Sequence, residues 1–167
     1  MGLGKTIQVI SFMEINKVNS GLIVVPKALL YNWETEFKKF NSKQKVKIID
    51  GSKDRRDKLI DCIDEETIYI TSYGSIINDY DKYTNINFQV VVIDEAQNIK
   101  NSQTKTSRVV KMLKGEHYIA LTGTPIENNI MELWSIFDFL IPGYLSDYDE
   151  FSVKFVKDQT NKELLSK

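Results

Sequence analysis

The chain has 167 residues, in which 22 Lys and Arg oppose 23 Asp and Glu for a formal net charge of −1. That balance argues against a uniformly basic nucleic-acid-binding domain, though not against a local basic patch. The single cysteine, Cys62, excludes an internal disulfide and a cysteine metal cluster, and the single histidine, His117, removes most zinc and Ser/His/Asp schemes. No apolar run reaches the ~18 residues of a membrane span, and Lys5 and Gln8 interrupt any signal-like apolar stretch. One domain in a reducing, cytoplasmic setting is expected.

In chain order, Gly2-Leu3-Gly4-Lys5-Thr6 leads into residues 7–17, where Ile7, Ile10, Met13 and Ile15 recur at helical spacing. Leu22-Ile23-Val24-Val25 reads as a strand. Residues 29–40 place Leu30, Trp33, Phe37 and Phe40 on one helical stripe. Strands are expected at 46–49, 68–70, 90–93 and 118–121. Helices are expected at 107–114, around Val109, Val110 and Leu113, and at 131–140, around Leu133, Trp134, Phe137 and Leu140. The strand runs are short, β-branched and apolar on both faces, as buried parallel strands are. Alternation with helices predicts an α/β fold with a mostly parallel sheet flanked by helices. Residues 158–167 form a polar tail.

Three segments carry chemistry. In Gly2-Leu3-Gly4-Lys5-Thr6, glycines let backbone N–H groups surround phosphate oxygens, lysine reaches the β- and γ-phosphates, and threonine can ligate Mg²⁺. The helix that follows directs its positive end at the same anion. By itself this is also how a helix start with a lysine after glycine reads, because the first half of the G-x-x-x-x-G-K-[ST] pattern is missing. The run Val90-Val91-Val92-Ile93 then enters Asp94-Glu95-Ala96-Gln97. A strand ending in two carboxylates supplies a cation ligand (Asp94) and a group that orients water (Glu95), which a nucleotide hydrolase needs opposite its phosphate loop. Leu121-Thr122-Gly123-Thr124-Pro125 follows another strand and suits a polar relay at the carboxyl edge of the sheet, or a plain turn.

Together these segments resemble the first RecA-like lobe of a Swi/Snf-family ATPase, within the superfamily-two helicase-like proteins. The carrying stretches are MGLGKTIQ (1–8), LIVVPKALLYNWETEFKKF (22–40), TSYGSI (71–76), VVIDEAQNIKN (91–101) and ALTGTPIENNIMELWSIFDFLIPG (120–143). The DEAQ form is similar to bacterial and archaeal members. The resemblance implies ATP hydrolysis with Mg²⁺, coupled to tracking along double-stranded DNA. Gly2, Leu3, Gly4, Lys5, Thr6, Gln97, Thr122 and Thr124 would bind the nucleotide. Lys5, Asp94 and Glu95 would be catalytic, and Thr6 and Asp94 would hold the metal. Pro26, Lys27, Ser72 and Tyr73 would lie in the DNA-tracking motifs, with Lys100 and Lys105 a further patch or simply solvated lysines. Core packing is the favoured reading for the rings of Trp33 and Tyr73.

Members of that family also carry a strand before MGLGKT and a second RecA-like lobe. The expectation is therefore a truncated first lobe over 1–157, a tail over 158–167 leading toward the second lobe, and little activity in isolation. Unpaired sheet edges would favour self-association, and the setting would be the nucleoid of a bacterial or archaeal cell. A DEAD-box-like RNA helicase lobe and a non-catalytic DNA- or partner-binding remnant are the alternatives.

Overall fold

A computed structural model describes residues 4–40, 42–123 and 130–157. The expectations for Gly2, Leu3, Thr124 and the tail lie outside them. Five strands, β1 (Gly21–Val25), β2 (Lys45–Ile49), β3 (Thr67–Ser72), β4 (Asn87–Ile93) and β5 (Lys114–Ala120), form one sheet in the order β2-β3-β1-β4-β5. All pairings are parallel. The first described element is a helix, α1 (Lys5–Ile15), so no strand precedes the Gly4-Lys5-Thr6 segment among the described residues.

Both faces of the three central strands are covered, which is why their runs lack alternation. Ile23, Val25, Val90 and Val92 pack under α1 and α2 (Leu30–Lys39), against Met13, Trp33 and Phe37. Leu22, Val24, Val91 and Ile93 face the other way, toward α4 (Tyr73–Tyr83), α5 (Lys105–Lys111) and α6 (Ile130–Leu140). The edge strands differ: β2 alternates exposed and half-buried positions, and β5 is half-exposed, with β4 its one partner among the described residues.

Helix α3 (Lys53–Asp61) is absent from the sequence reading because Ile60 is its one buried residue and only the adjacent Leu59 packs against the core beside it, so there is no apolar period to see. It starts because the Ser52 hydroxyl accepts from the Arg55 N–H. Helix α4 was also missed: its inward stripe includes Ser75 and Asp79, and a glycine occupies its first turn. The short α7 (Tyr148–Ser152) escapes for lack of length. The predicted 107–114 helix stops at Lys111, and Lys114 already begins β5.

Candidate functional site

In parallel pairing, all strands deliver their carboxyl ends to one edge. Val25 pairs with Ser72 and Val24 with Ile93, so Pro26, Tyr73 and Asp94 emerge side by side. The Asp94 N–H donates to the Val24 carbonyl at 2.9 Å, continuing the ladder one residue beyond β4. The segment after β5 is drawn into the same place, since Leu121 N–H donates to Ile93 O and Ala96 N–H to Leu121 O, both at 2.8 Å.

The amino end of α1 opens at this edge. Gly4 has φ +67°, a left-handed conformation that favours glycine, and its carbonyl takes the Gln8 N–H at 3.1 Å. No acidic residue sits in the first turn of α1, so its free N–H groups and positive dipole face no competing carboxylate there. Lys5 and Thr6 line a cleft of roughly 490 Å³ together with Trp33, Asp94 and Glu95, within the usual range for a ligand site. The third segment borders it: a Cβ placed on Gly123 would stand 3.9 Å from Lys5 Nζ.

Asp94 is 7% exposed and is held by neutral groups alone. The Trp33 indole N–H donates to Oδ2 at 2.9 Å, the Glu95 N–H to Oδ1 at 2.8 Å, and the Tyr73 hydroxyl to the main-chain carbonyl at 2.8 Å. Among the described residues it forms no ion pair within 4.0 Å. Burial pushes the Tyr73 phenol far above its ordinary value, and the Asp94 and Glu95 charges push it further, so it stays a donor at every working pH.

Glu95 adopts φ 51° and ψ 56°, an uncommon conformation for a non-glycine residue, and its carbonyl is pinned by Asn98 through N–H at 2.9 Å and Nδ2 at 2.8 Å. The carboxylate is linked onward. Gln97 Nε2 donates to Glu95 Oε2 at 2.7 Å, and the Thr122 hydroxyl donates to Gln97 Oε1 at 3.1 Å. The second and third chemical segments are therefore one hydrogen-bonded unit.

The expected DNA-tracking residues share this edge. Lys27 is exposed on a short 3₁₀ turn, Lys27–Leu29, that follows half-buried Pro26 and runs into α2. Ser72 and Tyr73 lie at this edge with their side chains turned inward. Ser72 is 4% exposed and accepts from Ser75 N–H to start α4, and Tyr73 is 7% exposed with its hydroxyl spent on Asp94. Both hydrogen bonds brace the turn from β3 into α4. Lys100 is ion-paired with Glu132 at 3.3 Å, and Lys105 is exposed.

Sequence reasoning found the carboxylates but missed their holders. Trp33 and Tyr73 do pack in the core, as expected, yet each also keeps its polar tip on Asp94. The signal was available for Trp33: a buried indole needs a partner, and the apolar stripe Leu30, Trp33, Phe37 and Phe40 supplies none.

The SNF2-related domain family matches residues 1–167. A Mycoplasma pneumoniae protein named an uncharacterized ATP-dependent helicase is 42% identical over 97% of this chain and 16% of its own length. The putative ATP-dependent helicase/translocase YwqA of Bacillus subtilis is 38% identical over 98% of this chain and 19% of its own. A solved Sulfolobus solfataricus SWI2/SNF2 ATPase core in complex with dsDNA superposes with a TM-score of 0.82 at 41% identity, covering 96% of this chain and 34% of that one. The chain thus spans less than a fifth of the length of these two curated relatives.

Proposed function

This chain belongs to the SNF2-related family, and we propose that it supplies the phosphate-binding half of an ATP-driven motor on double-stranded DNA. One observation carries the reading: Lys5, Thr6, Asp94 and Glu95 line a single cleft at the carboxyl edge of the sheet. The Sulfolobus core bound to dsDNA supports the duplex as partner, and the family match does not favour a DEAD-box RNA helicase.

In this reading Lys5 and the free N–H groups of α1 bind the β- and γ-phosphates, where charge grows as the terminal bond breaks. Gly2, Leu3 and Thr124 belong to the same cradle by family pattern. Glu95 orients the attacking water, and Gln97 and Thr122 fix its carboxylate. The buried Asp94 carboxylate, with neutral donors and no cationic partner among the described residues, suits a divalent cation, with Thr6 as the companion ligand. Thr6 and Asp94 would hold Mg²⁺ there, and the cation would supply charge neutralisation for the phosphates. Pro26 and Lys27 would meet duplex phosphates, which gives sequence-independent, salt-sensitive binding.

The test is ATP turnover by the whole protein with and without duplex DNA, beside nucleotide binding by the 167-residue chain. Lys5→Ala should abolish both turnover and binding. Glu95→Gln should keep binding and lower turnover by about 10²–10⁴-fold. Turnover that survives Lys5→Ala would refute the site.

A further inference from the structure

Trp33 has a bond that its packing role does not require. Its ring is 2% exposed and packs near Phe37, centroids 6.3 Å apart, within the layer beneath α1 and α2. An indole N–H donates and never accepts, and here it ends on the one carboxylate oxygen that no backbone N–H of the turn holds. A carboxylate has room for about four partners. With one donor on each oxygen, both oxygens of Asp94 keep acceptor capacity, and the carboxyl plane is fixed from two sides. One of those sides is on a different helix, 61 residues earlier in the chain.

We propose that Trp33 is a positioning residue for the cation that accompanies the nucleotide: its indole N–H sets the orientation in which Asp94 meets that cation. This rests on the site reading above. Groups that hydrogen-bond a metal-ligating side chain typically change metal affinity 10- to 100-fold when removed. A buried indole that merely satisfied itself would affect folding and leave cation dependence alone.

The experiment uses the 167-residue chain labelled with ¹⁵N in its two tryptophans. Trp134 donates to the Ser146 carbonyl at 3.2 Å and serves as the internal control. ATP is added in EDTA, and Mg²⁺ is then titrated in. The Trp33 indole signal should move with the Mg²⁺ step while that of Trp134 stays in place. In Trp33→Phe, the factor by which Mg²⁺ tightens binding of a fluorescent ATP analogue should shrink by about 10-fold or more. Asp94→Asn separates the two ideas. If Asp94→Asn removes the Mg²⁺ effect but the Trp33 signal is stationary and Trp33→Phe keeps the full effect, the role of Trp33 is overturned and the site stands. If the unsubstituted chain binds no nucleotide, or Asp94→Asn keeps the full Mg²⁺ effect, the site reading falls and this inference with it. Should Trp33→Phe fail to fold, the titration of the unsubstituted chain decides.

Discussion

Two buried aspartates show how one residue type serves opposite ends. Asp79, on α4, is 2% exposed and gripped by Arg56 of α3 through bonds of 2.5 and 3.0 Å, with Lys53 at 3.4 Å. Asp94, beyond β4, is 7% exposed and meets only neutral donors. At Asp79 the charge is neutralised by the protein, and the pair ties two helices together. At Asp94 two N–H donors fix the carboxylate, and among the described residues no cation pairs with it. A buried carboxylate held by a guanidinium ties elements together, and one held only by N–H donors keeps its charge for the cation proposed above.

The largest contrast should appear on neutralising each. Asp79→Asn strands the Arg56 charge, which is 12% exposed, and should cost about 3–5 kcal/mol by urea denaturation. Asp94→Asn strands no cation, and mismatching one donor should cost only about 1–3 kcal/mol. Equal losses would erase the distinction. Combining Arg56→Met with Asp79→Leu should recover most of the Asp79 loss, because the stranded charge goes too.

Acid sharpens the comparison. Burial alone would raise the Asp79 carboxyl, but the Arg56 hydrogen bond and charge, helped by Lys53, bring it below the usual carboxylate range. Its folded value is therefore depressed, so its contribution is complete above about pH 5 and is lost as pH falls through that folded value. Asp79→Asn should flatten the acid limb of a stability–pH curve. A limb unchanged by that substitution would show that the pair does not govern it.

Around Asp94 the effects should be smaller. Tyr73→Phe removes the donor to the Asp94 carbonyl and should cost about 0.5–1.5 kcal/mol, together with weaker Mg²⁺-dependent nucleotide binding. Glu95→Gly relieves the left-handed backbone and should recover about 1 kcal/mol while ending turnover. Stabilisation by Glu95→Gly, measured as a raised urea midpoint, would mark the turn as strained for function. A lowered midpoint would show that the Gln97 bond outweighs the strain. Finally, Ile15 is 79% exposed on α1. If exposed apolar surface drives self-association, Ile15→Lys should lower it in sedimentation without changing the melting behaviour of the monomer.

Much of the candidate site was legible because its residues sit in compact local patterns. The Lys5-Thr6 pair, the Asp94-Glu95 pair after four β-branched residues, and Thr122-Gly123 after a strand each announce themselves within a few positions. The five strands were legible in number and order along the chain, with β5 starting four residues earlier than its apolar run suggests. Helices α3 and α4 were not legible. They are tied to each other by ion pairs, the most buried being Arg56 with Asp79, 23 residues apart, and a buried ion pair has no apolar signature in either segment.

The sequence by itself determined the α/β class, the buried character of β1, β3 and β4, and the residues that could meet a phosphate, because strand period and local motifs depend on neighbours in the chain. Only the tertiary structure decided the strand order, the meeting of Lys5, Thr6, Asp94 and Glu95 in one cleft with Gly123 at its border, and the attachment of Trp33 and Tyr73 to Asp94. Those depend on groups 61 and 21 residues apart, where a hydrogen bond is set by how helices settle on the sheet and leaves no trace in local spacing.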